Sequence, residues 1–215
     1  MKKLKLLTII FLFSMFFMSN NSYSQIKYCF AFEYSTAFNA AQAADYISDP
    51  SWGGFSTSYK AITNKKLTYG IELGWNIFSQ TTTGTTQIQN GAISGYQARY
   101  YNYVPILANV GYAFQNKRQS KITPYAQVNV GTFYITQQFQ AGVTTITDEG
   151  WNFGFGPEVG LIYTAGSHVG ITFNAKYNYA LSNGGTTFNS GSSSKTVGDI
   201  DYSFFNINLG IGYIQ

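Results

Sequence analysis

The feature that most constrains this chain is a strict two-residue alternation that returns along its length. In "YSFFNINLGIGYIQ", Tyr202 to Gln215, the odd positions Phe205, Ile207, Leu209, Ile211 and Tyr213 are apolar, and the even positions Asn206, Asn208, Gly210 and Gly212 are small and uncharged. Successive side chains of a β-strand point to opposite faces, so a period of two describes a strand between two unlike environments. "LTYGIELGWNI" from Leu67, "WNFGFGPEVGLIY" from Trp151 and "VGITFNAKYNY" from Val169 repeat the pattern. Less regular versions occupy about 27–37, 53–62, 98–114 and 122–137, giving eight strands and an all-β chain.

The polar face is unusual. Strands that meet water on one side carry Lys, Glu and Thr there, which solvate the face and discourage edge pairing. Here that face is Asn and Gly, and only 10% of the chain is charged, against about 25% in a typical soluble domain. Aromatics reach 18% and glycines number 22. Period alone does not say which face is outermost, and a lipocalin-like soluble barrel shares it. A small uncharged face suits the interior of a narrow barrel, because eight strands leave a lumen only just wide enough to be filled by side chains. The apolar face then meets lipid.

Segment lengths and connections agree with that reading. Strands of about ten residues suit a crossing tilted about 45° through a bilayer. Short links near 63–66, 115–121 and 164–168 alternate with long ones at about 38–52, 80–97, 138–149 and 180–201, the last four rich in Thr, Ser, Asn and Gly. This is the order of an eight-stranded antiparallel up-and-down transmembrane β-barrel with long loops outside and both termini periplasmic. Short links hold Lys65, Lys66, Lys117, Arg118 and Lys121 without an acid, whereas long ones hold Asp45, Asp49, Asp148, Glu149, Asp199 and Asp201 with only Lys195. Pro105 and Pro157 fall inside predicted strands, where a missing N–H calls for a bulge near a rim.

At the amino terminus, Lys2, Lys3 and Lys5 precede an apolar stretch from Leu6 to Met18 and then polar "SNNSYSQ", the order of a secretory signal. Small residues at Ser22 and Ser24 place cleavage before Gln25, so 1–24 reads as signal peptide and 25–215 as the barrel domain. Removing those three lysines from the formal +4 leaves about +1, which offers nucleic acid no attraction. The single cysteine, Cys29, excludes an internal disulfide or Cys-based metal cluster and reads as a small packing residue.

"YVPILANVGYAF" (Tyr103 to Phe114), "PYAQVNVG" (Pro124 to Gly131) and "GFGPEVGLIY" (Gly154 to Tyr163) resemble the strand motifs of the small outer-membrane β-barrel family of Gram-negative envelopes, the OmpA-like and OmpX-like barrels. The resemblance covers the whole chain after the signal. It implies an outer-membrane location, lipid around the barrel, and the barrel-assembly machinery as a partner during biogenesis. Asn208, Gly210 and Tyr213 match the carboxyl-terminal assembly signal of such proteins, with Gln215 where the last aromatic usually stands.

Carried through the other strands, the same parity sends Glu33, Lys60, Glu72, Arg99, Glu158 and Lys176 inward, three acids and three bases. Buried charges persist when paired, so they read as an ion-pair network that spans a plugged lumen; a conducting or ligand-binding lumen is the alternative. A hairpin about Ser167 makes residues whose numbers sum to 334 face each other, which sets Leu161 against Phe173 and Glu158 against Lys176 as a candidate pair. Catalysis finds little support. His168, the only histidine, lies in a short turn beside Ser167, away from any nucleophile–base arrangement. The Asp148/Glu149 and Asp199/Asp201 couples have oxygen ligands for weak Ca²⁺ binding but read first as loop solubility. No cofactor and no metal site is expected. The function expected is a monomeric, non-catalytic envelope barrel whose loops contact an extracellular partner; the alternative is a passive small-solute channel.

Overall fold

The computed structural model describes residues 27–88, 91–114, 121–141, 144–182, 186–190, 193–197 and 201–215. The segment 1–24 read as a signal peptide, Lys117, Arg118 and Asp199 lie outside them. Strands β1 (Lys27–Ala40), β2 (Ser51–Ile62), β3 (Leu67–Ile88), β4 (Gly91–Ala113), β5 (Ile122–Ala141), β6 (Thr144–Thr164), β7 (Val169–Ala180) and β10 (Tyr202–Ile214) pair antiparallel with their neighbours and close a barrel. Closure is made by β1 against β10, from Cys29 opposite Ile214 to Ala40 opposite Ser203. A separate hairpin, β8 (Thr186–Ser190) with β9 (Ser193–Val197), occupies the last long connection. The first long connection holds a six-residue helix, α1 (Ala41–Tyr46). The eight-stranded antiparallel barrel expected from the alternation is the fold.

Every residue of the alternating stretch in β10 lies as its parity requires, with Asn206 and Asn208 buried and Phe205, Ile207, Leu209, Ile211 and Tyr213 exposed on the outside. On β3 the outward stripe runs from Leu67 to Ile77; ten intervals of ~3.4 Å at a tilt of about 45° give a height of roughly 24 Å. That matches the apolar band of a bilayer-spanning barrel, about 25 Å. Tyr69, Tyr112, Tyr163 and Tyr213 stand outward near the short turns, and Trp52, Trp75 and Trp151 toward the other end. Amphipathic aromatics gather at both borders of a hydrocarbon layer for this reason.

Two expectations need correction. Neither inner proline makes a bulge. The β3–β4 register is the same on both sides of Pro105, Leu73 facing Ile106 and Asn76 facing Tyr103, with the pairing simply skipped between them. Around Pro157 the β6–β7 ladder likewise runs from Phe155 opposite Tyr179 to Glu158 opposite Lys176 without a shift. A proline deletes one donor, and the ladder on its far side, Pro105 opposite Phe133 and Pro157 opposite Val128, stays intact and holds the strand straight. Among the described residues the one register shift lies instead between Ser35 and Ala37 on β1 against β2.

The long connections are also mostly strand. β3 and β4 continue to Ile88 and from Gly91, and β5 and β6 to Ala141 and from Thr144. "TTTGTTQI" and "TTITDEG" lack apolar contrast between alternate positions, so the period vanishes while β-branched Thr still favours extended backbone. Past Trp75, β3 pairs only with β4, and before Gly154, β6 pairs only with β5. A four-stranded sheet of β3 to β6 therefore outgrows the barrel on one side.

Candidate functional site: the filled lumen

Three layers fill the interior. At the long-loop end the chain turns at Ala41 (φ 46°) into α1, which brings Ala43 and, after it, Ile47 against Phe78, Tyr101, Tyr103, Phe133 and Phe204. Tyr103 stacks on Phe204 with ring centroids 4.0 Å apart, and Phe133 meets the same ring edge-on at 5.8 Å. A cavity of about 10 Å³ remains among these rings, room for about one water. The short-turn end is closed by a second apolar cluster of Cys29, Ala31, Ile62, Ala113, Tyr125 and Ile162.

Between the two lies the polar layer. Below the rings, Ser35, Asn76, Tyr103, Asn178 and Asn206 exchange hydrogen bonds, Asn206 Nδ2 donating to Ser35 Oγ at 2.9 Å and Asn178 Nδ2 to Asn206 Oδ1 at 2.8 Å. Deeper in the barrel, Glu158 is the most fully satisfied acid. Its Oε1 accepts from the Tyr125 hydroxyl at 2.8 Å and from Lys60 Nζ at 3.3 Å; its Oε2 accepts from Gln127 Nε2 and Asn129 Nδ2, each at 2.9 Å. The Lys60 ammonium also stands 3.8 Å from the centre of the Tyr125 ring, a cation–π contact on top of the ion pair. Lys176 donates to Glu72. Glu33 accepts from Ser56 Oγ and Asn174 Nδ2, both at 3.0 Å. All five charged residues are buried.

Of the six charges that parity sends inward, five share this layer and one does not. Arg99 sits at the long-loop end, where its Nη1 donates to the Tyr46 carbonyl at 3.0 Å and its guanidinium lies over the Tyr46 ring. At that height β4 is still paired and inward parity leads to α1 and its Tyr46, on the long-loop side of the aromatic layer, and not to the polar layer. The register of β6 and β7 is the one the turn about Ser167 dictates, Leu161 opposite Phe173 and Glu158 opposite Lys176. The charges nevertheless do not pair along it. Each lysine reaches across the lumen, Lys60 of β2 to Glu158 of β6 and Lys176 of β7 to Glu72 of β3, because a four-carbon stem is longer than the gap to its cross-strand neighbour and spans a narrow barrel.

Asn208 and Gly210 point inward and Tyr213 outward, stacked on His168 at 5.6 Å. Gly210 is forced by the lumen itself, since a Cβ there would come within 2.2 Å of the Phe32 carbonyl and 2.6 Å of the Glu33 side chain. His168 is exposed, with Nδ1 3.3 Å from the Ile214 carbonyl. Glu149 accepts from the Tyr134 hydroxyl at 2.8 Å, and Asp201 from the Tyr179 hydroxyl and the Ser182 N–H. Among the described residues, no three His, Cys, Asp or Glu side chains gather as metal ligands. The aromatic layer and α1 escape the alternation; their only trace in sequence is that both parities turn apolar together in "YYNYVPIL" and "YSFF".

No family model matches the chain, and no curated protein does. Solved structures share its fold. The outer-membrane protein OprG of Pseudomonas aeruginosa superposes with a TM-score of 0.51 at 13% identity, over 88% of this chain and 95% of that one. The Neisserial surface protein A (NspA) gives 0.45 at 14% identity, over 87% and 96%. Ail, the attachment invasion locus protein of Yersinia pestis, gives 0.45 at 11% identity, over 88% and 97%. The chain is thus a small eight-stranded barrel of the outer-membrane type. OmpA-like membership in particular is not singled out.

Proposed function

We propose that this protein is an integral, non-catalytic outer-membrane barrel with a plugged lumen, which meets an extracellular partner through the sheet and loops at its long-loop end. The observation that carries the reading is the three-layered filling of the interior: a solute would have to displace the aromatic layer, two buried ion pairs and a second apolar plug. The projecting part of β3 to β6 supplies the contact surface. Beyond Gln80, whose amide meets Ser48 of the α1–β2 link, the outer edge of β3 has no strand beside it among the described residues. Its exposed stretch Thr81–Gly84 has neither charge nor proline, the usual devices that discourage an added strand. An extended segment can pair with such an edge through main-chain hydrogen bonds. His168 and the acidic couples then have local roles in turns and loops.

Refolded protein in planar bilayers tests the plug. No conductance above the bare bilayer is expected, and stable unitary steps would replace the reading with a passive small-solute channel.

A further inference from the structure

The polar layer does not balance. With Arg99 and the buried Asp148 both on the long-loop side, the polar layer itself holds three carboxylates, Glu33, Glu72 and Glu158, and two ammonium groups, Lys60 and Lys176. Each lysine donates to another acid, so Glu33 is the carboxylate that accepts from neither, although Lys176 lies near enough to feel its charge; the groups hydrogen-bonded to Glu33 are a hydroxyl and an amide, both neutral. Arg99 cannot be counted toward it, being spent on Tyr46 and set beyond the aromatic layer. A surplus of negative charge away from water is costly unless something positive joins it.

A second observation points the same way. Gly210 separates Glu33 of β1 from Thr172 of β7 in one row across three strands, and Asn208 faces Asn174 in the next. Asn208 Nδ2 donates to Asn174 Oδ1 at 2.9 Å, and Asn174 Nδ2 donates to Glu33, so the amide chain ends on the surplus acid. What remains without a partner beside it is oxygen: Asn208 Oδ1 and Thr172 Oγ1, both buried. This corner therefore holds an unpartnered amide oxygen and an unpartnered hydroxyl, and no positive charge is hydrogen-bonded to its acid.

We infer that the lumen takes up one further unit of positive charge at Glu33, as an alkali cation or a proton, from the medium. For a cation, the Glu33 carboxylate with Thr172 Oγ1 and Asn208 Oδ1 offers the oxygen ligands that hard ions take. For a proton, Glu33 Oε1 remains the acceptor of Asn174 while Oε2 becomes a donor to Ser56 Oγ, which has lone pairs to accept it. The charged or titratable groups that share the layer are Cys29 of β1, Lys60 of β2, Glu72 of β3, Tyr103 of β4, Tyr125 of β5, Glu158 of β6 and Lys176 of β7. The inference rests on the filled-lumen reading above.

Two measurements on refolded full-length protein decide it. The first is the unfolding midpoint as sodium or potassium chloride replaces choline chloride at constant ionic strength. The second is the infrared carbonyl stretch of a protonated carboxyl, identified by its shift in D₂O. If a cation is bound, each tenfold rise in its concentration above saturation multiplies the folding constant about tenfold, and Glu33→Gln abolishes the dependence. If a proton is bound, the midpoint ignores the cation and the carbonyl band is present in wild type and missing in Glu33→Gln. Neither signal in the wild type overturns the inference, even if the variant does not refold. Either signal surviving unchanged in Glu33→Gln overturns it as well. A barrel that passes no current yet gives neither signal loses only this inference, whereas unitary conductance removes the filled-lumen reading first.

Discussion

The lysines show how little a cross-strand register says about who pairs with whom. Glu158 and Lys176 stand opposite each other, yet each ammonium crosses the lumen to a different acid. Sequence parity brings five of six charges to one layer because inward and outward positions alternate along the lower strands, even where small Ala61 is covered on the outside. It cannot choose partners, since that depends on which strands face one another across the closed barrel. Leaving a buried charge without its partner costs about 3–5 kcal/mol, while replacing both costs far less. Lys60→Met and Glu158→Gln are each expected to lower the unfolding midpoint in detergent, and the double variant to recover most of the loss. The same cycle on Glu158 and Lys176 should yield the smaller coupling energy. Equal couplings, or a larger one for Glu158 with Lys176, would return the pairing to the cross-strand neighbours.

At the scale of elements, strands that separate lipid from lumen are legible and those that rise above it are not. β7 and β10 can be read to within a residue, Val169–Ala180 and Tyr202–Ile214, because each has one apolar and one small polar face. The upper half of β3 has no such contrast, and α1 is too short, at six residues, to display a helical period. Where the last long excursion returns to the barrel, Asp201 holds its base together by accepting from the Tyr179 hydroxyl and the Ser182 N–H. The Tyr179 bond first, and the Ser182 bond second, hold this carboxyl below its ordinary value of 3.8. Because the folded value is the lower one, the contribution is full above the ordinary value and disappears as pH falls through the depressed one. An NMR titration of the Asp201 side chain should therefore give a midpoint below 3.8. Tyr179→Phe should move that midpoint upward, and an unmoved value would show that the hydroxyl contributes nothing.

The whole molecule has two unlike ends, short turns at one and a one-sided sheet at the other. With the long-loop end outward, cysteine at Asp49 in a Cys29→Ala background should react with an impermeant thiol reagent on intact cells, and cysteine at Ser167 should not; both sites are exposed in the fold. Reversed labelling would invert the orientation, and labelling at both would argue against a spanning barrel. The one-sided growth of β3 to β6 also has a mechanical meaning. In an antiparallel pair the hydrogen bonds run perpendicular to the strands. A pull along the strands therefore loads in shear every rung between β3 and a strand added at its edge, and they must yield together. A pull sideways at the tip opens the same rungs one after another. A partner gripping this wall would hold firmly against traction along the tilted strands and be released by peeling across them.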